Sequence, residues 1–487
     1  MKFLRKSPIL NLKKNAYPFQ QEAFDQIKNS EYFAIFHEQG LGKTKIAIDL
    51  TYFWLGDEQV DSVLIVTKKS LIKNWQDEFI IHGNLQPIVL GSDKAESLEK
   101  MFAPGFIYLT HFESVRNNLE AFKSFFNFRN AGIILDESTQ IKNPKSQTAK
   151  AFHAIAPDAK KRIIMTGTPI SNRPYDVWSQ IYFLDFGQRL GKNFGDFKDD
   201  YDLDNNLSKS YSGQIIFKNA LNALREIISD CSVRETKKTA GIELPGKKFV
   251  VEYIDFEKKQ KVLYSKLQKE LYASVIKEGK LVEEDVEVIL KRLLRLVQIA
   301  SNPYLVDESY AGKACKLEPL KKIVDKARSE ESKIIIWTNF IDNVEWLCKQ
   351  FNLKGCVGIH GGIDVKHRDK LISNFRTNDS IDILITTPGV AREGLTLVEA
   401  NYSIFFDRNF SLENYLQAQD RIYRISQKKE CYIYKIIAKN SIDEWVDALL
   451  AAKEIAARYA QGDITQDEYE KEMSFDFAEL LAEVLST

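Results

Sequence analysis

The sequence has no surplus of either charge: its 68 lysines and arginines are matched by 68 aspartates and glutamates. Bulk electrostatics therefore gives no support for a polyanionic partner, although a local basic groove is compatible with a neutral total. Cysteine is scarce. The five, Cys231, Cys315, Cys348, Cys356 and Cys431, are scattered and form no C-x-x-C pair, so neither a zinc site nor a disulfide framework is suggested and reduced thiols are expected. Long apolar runs are missing too. None reaches the roughly 18 residues that a bilayer span requires, and the opening MKFLRKSPILNLKK lacks the apolar stretch of a signal peptide. A cytoplasmic protein without a membrane partner is expected. Proline is sparse, at 12 of 487 residues, while aromatics reach 11%, which favours a folded chain.

Short apolar runs bounded by polar or turn residues are present, and they read as buried strands. One series is YFAIF (32–36), SVLIVT (62–67), AGIILD (131–136) and RIIMT (162–166); a later series is KIIIWT (333–338), DILITT (382–387) and YSIFFD (402–407). Helical patterns such as KSLIKNWQDEFI (69–80) and VKHRDKLISNF (365–375) lie between them. The alternation predicts an α/β fold of two parallel-sheet lobes. Lobe one is expected over 1–235, with a helical insertion at about 185–230. A linker and helical insertion follow over 236–310, then lobe two over 311–446. GIELPGKK (241–248) has the glycine and proline of a hinge. From Asp447 onward there are ten acidic residues against three basic. That tail, 447–487 with FAELLAEVL (477–485), is expected as a helical surface or docking segment with a solvated face.

The stretch IFHEQGLGKT (35–44) ends as a phosphate-binding loop does, but His37 stands where the strict pattern has its first glycine. Gly40 and Gly42 would let the backbone approach a phosphate, Lys43 would supply a charge, and Thr44 would offer a hydroxyl to magnesium. The competing reading is an ordinary glycine turn capping a helix. About 90 residues on, IILDEST (133–139) ends a buried strand in two adjacent carboxylates. Asp136 suits magnesium and Glu137 suits the positioning of an attacking water. Alone, such a pair reads as a helix start. Together, the two motifs point to nucleoside triphosphate hydrolysis with Mg2+ as a cofactor.

From about residue 17 to 445 the motifs, in order, resemble Swi/Snf-type DNA translocases, ATPases of helicase superfamily two. In that superfamily another residue commonly replaces the first loop glycine. YPFQQEAF (17–24) is similar to the adenine-recognition motif, which implies that Gln20 reads the base. VLIVTKKSLIKNWQDEF (63–79), IYLTHFESV (107–115), DESTQIKN (136–143) and TGTPISNRPYDVWSQIYFL (166–184) resemble lobe-one motifs. SVRETK (232–237) and LLRLVQIASNPYL (293–305) resemble the family-specific insert elements. GIHGGIDVKHRDKLISNF, ILITTPGVAREGLTLVEANYSIFFDRNF and QAQDRIYRISQKK (417–429) match lobe two. Three departures stand out: Thr139 where a histidine is frequent, Ser426 where a glycine is usual, and Arg392-Glu393 where small residues are usual.

The resemblance implies two RecA-like lobes with ATP hydrolysed in the cleft between them. It implies nucleotide contacts from Gly394 and Gln417, and arginine fingers at Arg421 and Arg424. The two arginines are three apart and would share a face on a helix. Trp75 and Trp178 read as core or packing residues. Lys68, Lys69, His111, Thr386, Thr387 and Arg392 are the implied phosphate contacts to double-stranded DNA, each weighed against an ordinary surface role. The expected function is DNA-dependent ATP hydrolysis driving translocation on duplex DNA. A strand-separating helicase on DNA or RNA is one alternative, and a non-catalytic, nucleotide-gated scaffold is the other. The absence of reader, nuclease or zinc modules suits a monomeric bare motor in a bacterial cell or phage-infected host, with protein partners in replication, repair or remodelling.

Overall fold

A computed structural model of the chain describes residues 8–91, 93–201, 211–277, 280–281, 286–351, 355–391, 396–424 and 426–472. The chain divides into two compact units. The first is Met1–Asp202, Phe217–Glu243 and Ala457–Asp463; the second is Leu203–Ile216, Leu244–Ala456 and Ile464–Thr487. This division differs from the four consecutive segments expected, because residues 236–243 and 457–463 group with the first unit and 244–310 with the second.

The first unit is built on seven strands, β1 (Tyr32–Ile35), β2 (Ser62–Thr67), β3 (Ile88–Val89), β4 (Ile107–His111), β5 (Ala131–Asp136), β6 (Lys161–Met165) and β7 (Ser232–Val233). They lie in the order β3-β4-β2-β5-β6-β1-β7, and every pairing is parallel. All residues of β2, β4, β5 and β6 are buried. Such strands sit mid-sheet with both faces covered, which explains why β2 and β5 read as unbroken apolar runs rather than alternating ones. Helices α1 (Pro18–Ile27), α2 (Lys43–Gly56) and α3 (Ile72–His82) contribute Ala23, Ile46, Leu50, Trp54, Trp75 and Phe79 to the core over β1 and β2.

Because the strands are parallel, the segments after β1, β5 and β6 emerge at the same edge of the sheet. β6 separates β1 from β5, so at about 4.8 Å per strand the β1 and β5 ends are roughly 10 Å apart. That is the span of a phosphate chain with its metal, at the edge where α/β sheets hold ligands.

The second unit has six parallel strands in the order β12-β13-β11-β14-β15-β8. They are β8 (Lys247–Ile254), β11 (Lys333–Trp337), β12 (Cys356–Ile359), β13 (Ile383–Thr386), β14 (Ala400–Phe405) and β15 (Cys431–Ala438); a small antiparallel pair, β9 (Ile276–Lys277) with β10 (Lys280–Leu281), stands apart. β8 is an edge strand and leaves Phe249 and Tyr253 exposed. The expected strands are present to within two residues. β3, β4, β7, β8, β12 and β15 were not expected as strands; β3 and β7 span only two residues each, and β8 opens on two lysines and carries Glu252 within its apolar run.

The tail reading needs correction. Helix Ile442–Ala460 starts ahead of residue 447 and buries Val446, Leu449, Leu450, Ala457 and Tyr459. Its apolar residues recur at helical spacing, so this stretch packs rather than floats in solvent. FAELLAEVL lies outside the described residues. No helix among the described residues is long and apolar enough to cross a membrane.

Candidate nucleotide site

The loop between β1 and α2 turns at two left-handed glycines, Gly40 (φ 87°) and Gly42 (φ 69°). Gly42 caps α2, and a Cβ there would meet Gln20 Nε2 at 2.4 Å. The left-handed turn favours glycine at both positions, and at Gly42 a side chain would also displace Gln20. Gln20, on the first turn of α1, is buried and donates from Nε2 to the Leu41 carbonyl at 3.0 Å. Its Oε1 accepts from the Tyr17 amide at 3.0 Å. The side chain expected to read the base thus also holds the loop backbone. Lys43 Nζ donates to the carbonyls of His37 (2.9 Å) and Glu38 (3.3 Å), at the loop's entry. Thr44 follows in the first turn of α2, half-buried.

At the end of β5, Asp136 Oδ2 accepts from Trp75 Nε1 at 2.8 Å and from Thr67 Oγ1 at 3.0 Å. Burial, and then the neighbouring Glu137 charge, raise the Asp136 carboxyl above its ordinary value, against the lowering effect of these two donors and Lys43. A divalent cation would offset both raising causes. Glu137 adopts a left-handed backbone (φ 58°, ψ 54°), a conformation that costs a non-glycine residue about 1 kcal/mol or more and recurs at functional sites. Its Oε2 is buried without a hydrogen-bond partner. Lys68 Nζ stands 3.9 Å from that oxygen, within ion-pair reach but too far to hydrogen-bond.

After β6 comes Thr166-Gly167-Thr168. A Cβ at Gly167 would meet Gln39 Cγ at 2.5 Å, so the phosphate loop packs directly on this turn. On the segments that follow β1, β5 and β6, several buried polar atoms have no hydrogen-bond partner: Gln39 Nε2, Glu137 Oε2, Thr139 Oγ1 and Thr168 Oγ1. Buried polar atoms are ordinarily satisfied, so such a group fits a polar ligand. Burial, with the Lys43 and Arg234 cations nearby, pushes the His37 imidazole down to about 3, and it is neutral. No group of three or more His, Cys, Asp or Glu side chains among the described residues could hold a metal. Magnesium that arrives with phosphates needs only one or two protein ligands, and Thr44 with Asp136 fit that role.

The residues expected to contact DNA are not all on open surface. Lys68 groups with the acid pair rather than with open surface, its side chain 12% exposed. Lys69 and His111 do share an open cavity of about 530 Å³, lined also by Glu113, Ser114 and Arg116. His111 is nonetheless buried, with Nδ1 2.9 Å from the Glu113 carboxylate. Thr386 is buried at the end of β13 and Thr387 half-buried beyond it. A direct phosphate contact by Thr386 is therefore disfavoured. Arg392 and Gly394 lie outside the described residues.

In the second unit, Gln417 is buried on helix Leu412–Gln419, its Nε2 3.3 Å from Glu413 Oε1 and its own Oε1 without a partner. The arginine pair departs from expectation. The helix ends at Gln419, so Arg421 and Arg424 do not share a helix face. Asp420 caps it, Arg421 donates from Nε to the Gln417 carbonyl at 3.1 Å and accepts from the Leu397 amide, and Arg424 bonds Thr396 Oγ1 at 2.5 Å. These long-range contacts turn the chain off the helical path. Arg421 is buried at 3% exposure and Arg424 half-buried.

The SNF2-related domain matches residues 29–305 and the helicase conserved C-terminal domain matches 315–426. The chain belongs to the SNF2-related family. A DNA repair and recombination protein RAD54-like from Danio rerio is 26% identical over 93% of this chain and 66% of its own length. An uncharacterized ATP-dependent helicase from Mycoplasma pneumoniae is 28% identical over 86% of this chain and 39% of its own. This SNF2-related chain thus spans less than two thirds of the curated relatives it matches. Among solved structures, the Sulfolobus solfataricus SWI2/SNF2 ATPase core in complex with dsDNA is 24% identical, covering 97% of this chain and 99% of that one, with a TM-score of 0.42.

Several residues of the SNF2-related site were not expected from motif letters. Trp75 is in the core, as expected, but its indole N–H also serves Asp136. Ser138 donates to Gln180 Oε1 at 2.7 Å, and Gln180 Nε2 donates to the Pro169 carbonyl at 2.8 Å, linking the acid box to the turn after β6. Lys237 pairs with Glu38 at 2.9 Å beside the loop. All of these residues lie within quoted motifs, but the motif letters do not say which side chains meet.

Proposed function

We propose that this chain hydrolyses ATP in its first unit, that duplex DNA stimulates the reaction, and that hydrolysis drives movement along the duplex. The observation that carries the reading is the placement of Asp136 and Glu137 at the β5 end, on the edge of the sheet that holds the phosphate loop, amid orphaned buried polar atoms. The loop amides and Lys43 would receive the phosphates, with Lys43 exchanging the His37 and Glu38 carbonyls for phosphate oxygens. Thr44 and Asp136 would hold magnesium, which supplies charge neutralisation on the terminal phosphates. Thr67 and Trp75 fix the Asp136 carboxylate in one orientation. Glu137, strained and with a bare Oε2, is the group to orient the attacking water and take up its proton. Arg421 and Arg424 are assigned the counter-charge on the transferring phosphoryl group, a role worth on the order of 10³–10⁵ in rate.

Phosphate release measured with no nucleic acid, duplex DNA, single-stranded DNA and RNA tests the reading. Duplex DNA should stimulate most. Stimulation by RNA alone would overturn it. Triplex displacement without strand displacement is the expected sign of translocation on an intact duplex, and the reverse result would favour a strand-separating helicase.

A further inference from the structure

Helix Ile442–Ala460 ends in a Schellman motif. Gly462 is left-handed (φ 80°), the Gly462 amide donates to the Tyr459 carbonyl at 3.0 Å, and the Asp463 amide donates to the Arg458 carbonyl at 2.8 Å. The Tyr459 hydroxyl bonds Asn222 Oδ1, which fixes the helix end within the first unit. This cap presents the Asp463 carboxylate at a defined point. There it meets Arg234 in a two-bonded pair, Nε to Oδ1 at 2.9 Å and Nη2 to Oδ2 at 2.6 Å, with both side chains mostly buried.

The third nitrogen of the same guanidinium is directed at the nucleotide site. Arg234 Nη1 donates to the carbonyl of Phe36 and lies 3.4 Å from that of Gly167. Phe36 is fully buried and immediately precedes His37, whose carbonyl holds Lys43. The guanidinium is a planar fork, so the carboxylate that takes Nε and Nη2 also sets the direction of Nη1. Residues 234–237 continue the grip, with the Glu38 amide on the Glu235 carbonyl at 2.8 Å and Lys237 on the Glu38 side chain.

We propose that Asp463 is a positioning residue for the phosphate loop, acting through Arg234: the end of helix Ile442–Ala460 sets the loop entry, and nucleotide affinity depends on it. The proposal rests on the loop being the nucleotide site. The test uses the full chain, fluorescent ADP with magnesium for binding, and steady-state ATP hydrolysis with saturating plasmid DNA. Asp463→Asn should raise the ADP Kd and the ATP KM three- to tenfold while kcat stays within twofold, and Asp463→Glu should recover most of the loss. In an Arg234→Lys background, Asp463→Asn should add less than twofold. Gly462→Ala, which strains the cap rather than the carboxylate, should reproduce the Asp463→Asn shift in weaker form if the latter variant does not fold. A lowered melting temperature with unchanged ADP affinity in these variants would assign Asp463 to structure alone and overturn the proposal. Failure of the unaltered chain to bind fluorescent ADP would overturn the nucleotide reading and the positioning role together.

Discussion

Trp75→Phe tests the acid site most directly, because it deletes the N–H donor to Asp136 and leaves a smaller aromatic ring in its place. The indole N–H to Asp136 Oδ2 is a 2.8 Å bond between buried groups, and Thr67 remains as a second donor to the same oxygen. A hydrogen bond to a charged acceptor contributes about 1.5–3 kcal/mol net, and each 1.36 kcal/mol is tenfold in rate or affinity. With Thr67 still donating, the lower end applies: roughly a tenfold rise in the magnesium concentration for half-maximal hydrolysis, or a tenfold fall in kcat at fixed magnesium. The N–H lowers the Asp136 pKa, so its loss should also move the acidic limb of the pH–rate profile to higher pH. Trp75 is fully buried against Phe79, and the smaller ring will also lower the melting temperature. Thr67→Val serves as the control, since it deletes the other donor without opening a ring-sized cavity. Magnesium titrations of DNA-stimulated phosphate release decide the matter. If both variants keep their magnesium dependence and pH limb within twofold of the unaltered chain, the two donors do not orient Asp136 for the metal.

Lys43→Ala should reduce hydrolysis to background while a filter-binding assay finds duplex DNA affinity within about threefold, since the side chain faces the loop carbonyls. Asp136→Asn should abolish turnover yet raise the melting temperature without nucleotide or magnesium. The folded state raises this carboxyl's pKa, so its stability contribution falls as pH climbs from 3.8 through the raised value, and the neutral amide avoids that loss. Scanning calorimetry reads the gain, and a lowered midpoint contradicts the burial argument. His37 has the opposite sign, because its pKa falls from 6.5 to about 3 in the folded chain. The unfolded chain then binds the extra proton, and stability is lost as pH falls through that window. His37→Gln should shrink the stability difference between pH 7 and pH 5, measured by denaturant titration, by about 2 kcal/mol at 1.36 kcal/mol per unit.

Residues whose chemistry is written in the motif itself were readable from sequence: Gly40, Gly42, Lys43, Asp136 and Glu137 all fall on one edge of the sheet. Their supporting partners were not. Trp75 reaches Asp136 across 61 positions, and Arg234 reaches Asp463 across 229. No periodicity or short pattern encodes such pairs, and Asp463 reads only as one more acid in an acidic tail. The helix face expected to be shared by Arg421 and Arg424 failed for a related reason. R-x-x-R shares a face only while the helix lasts, and the Leu397 amide and Thr396 hydroxyl draw that segment out of helical geometry. The tail was misjudged because charge was counted ahead of spacing: Val446, Leu449, Leu450, Ala457 and Tyr459 carry the helical period beneath the acids.

The loop's missing glycine follows the same physical logic. A phosphate loop needs glycine where the backbone turns left-handed or where another chain segment approaches too closely for a Cβ. In this loop those demands fall on Gly40, at φ 87°, and Gly42, at φ 69° with Gln20 against it. His37 is not among the residues of positive φ, so no backbone requirement excludes a side chain there. Its ring is instead buried 6.2 Å from that of Phe19 on α1, while its carbonyl holds Lys43 and the carbonyl before it holds Arg234. A glycine at 37 would leave those two carbonyl contacts in place and delete the packing. The first letter of the pattern can therefore vary without cost to the loop's geometry, whereas the αL position at Gly42 cannot.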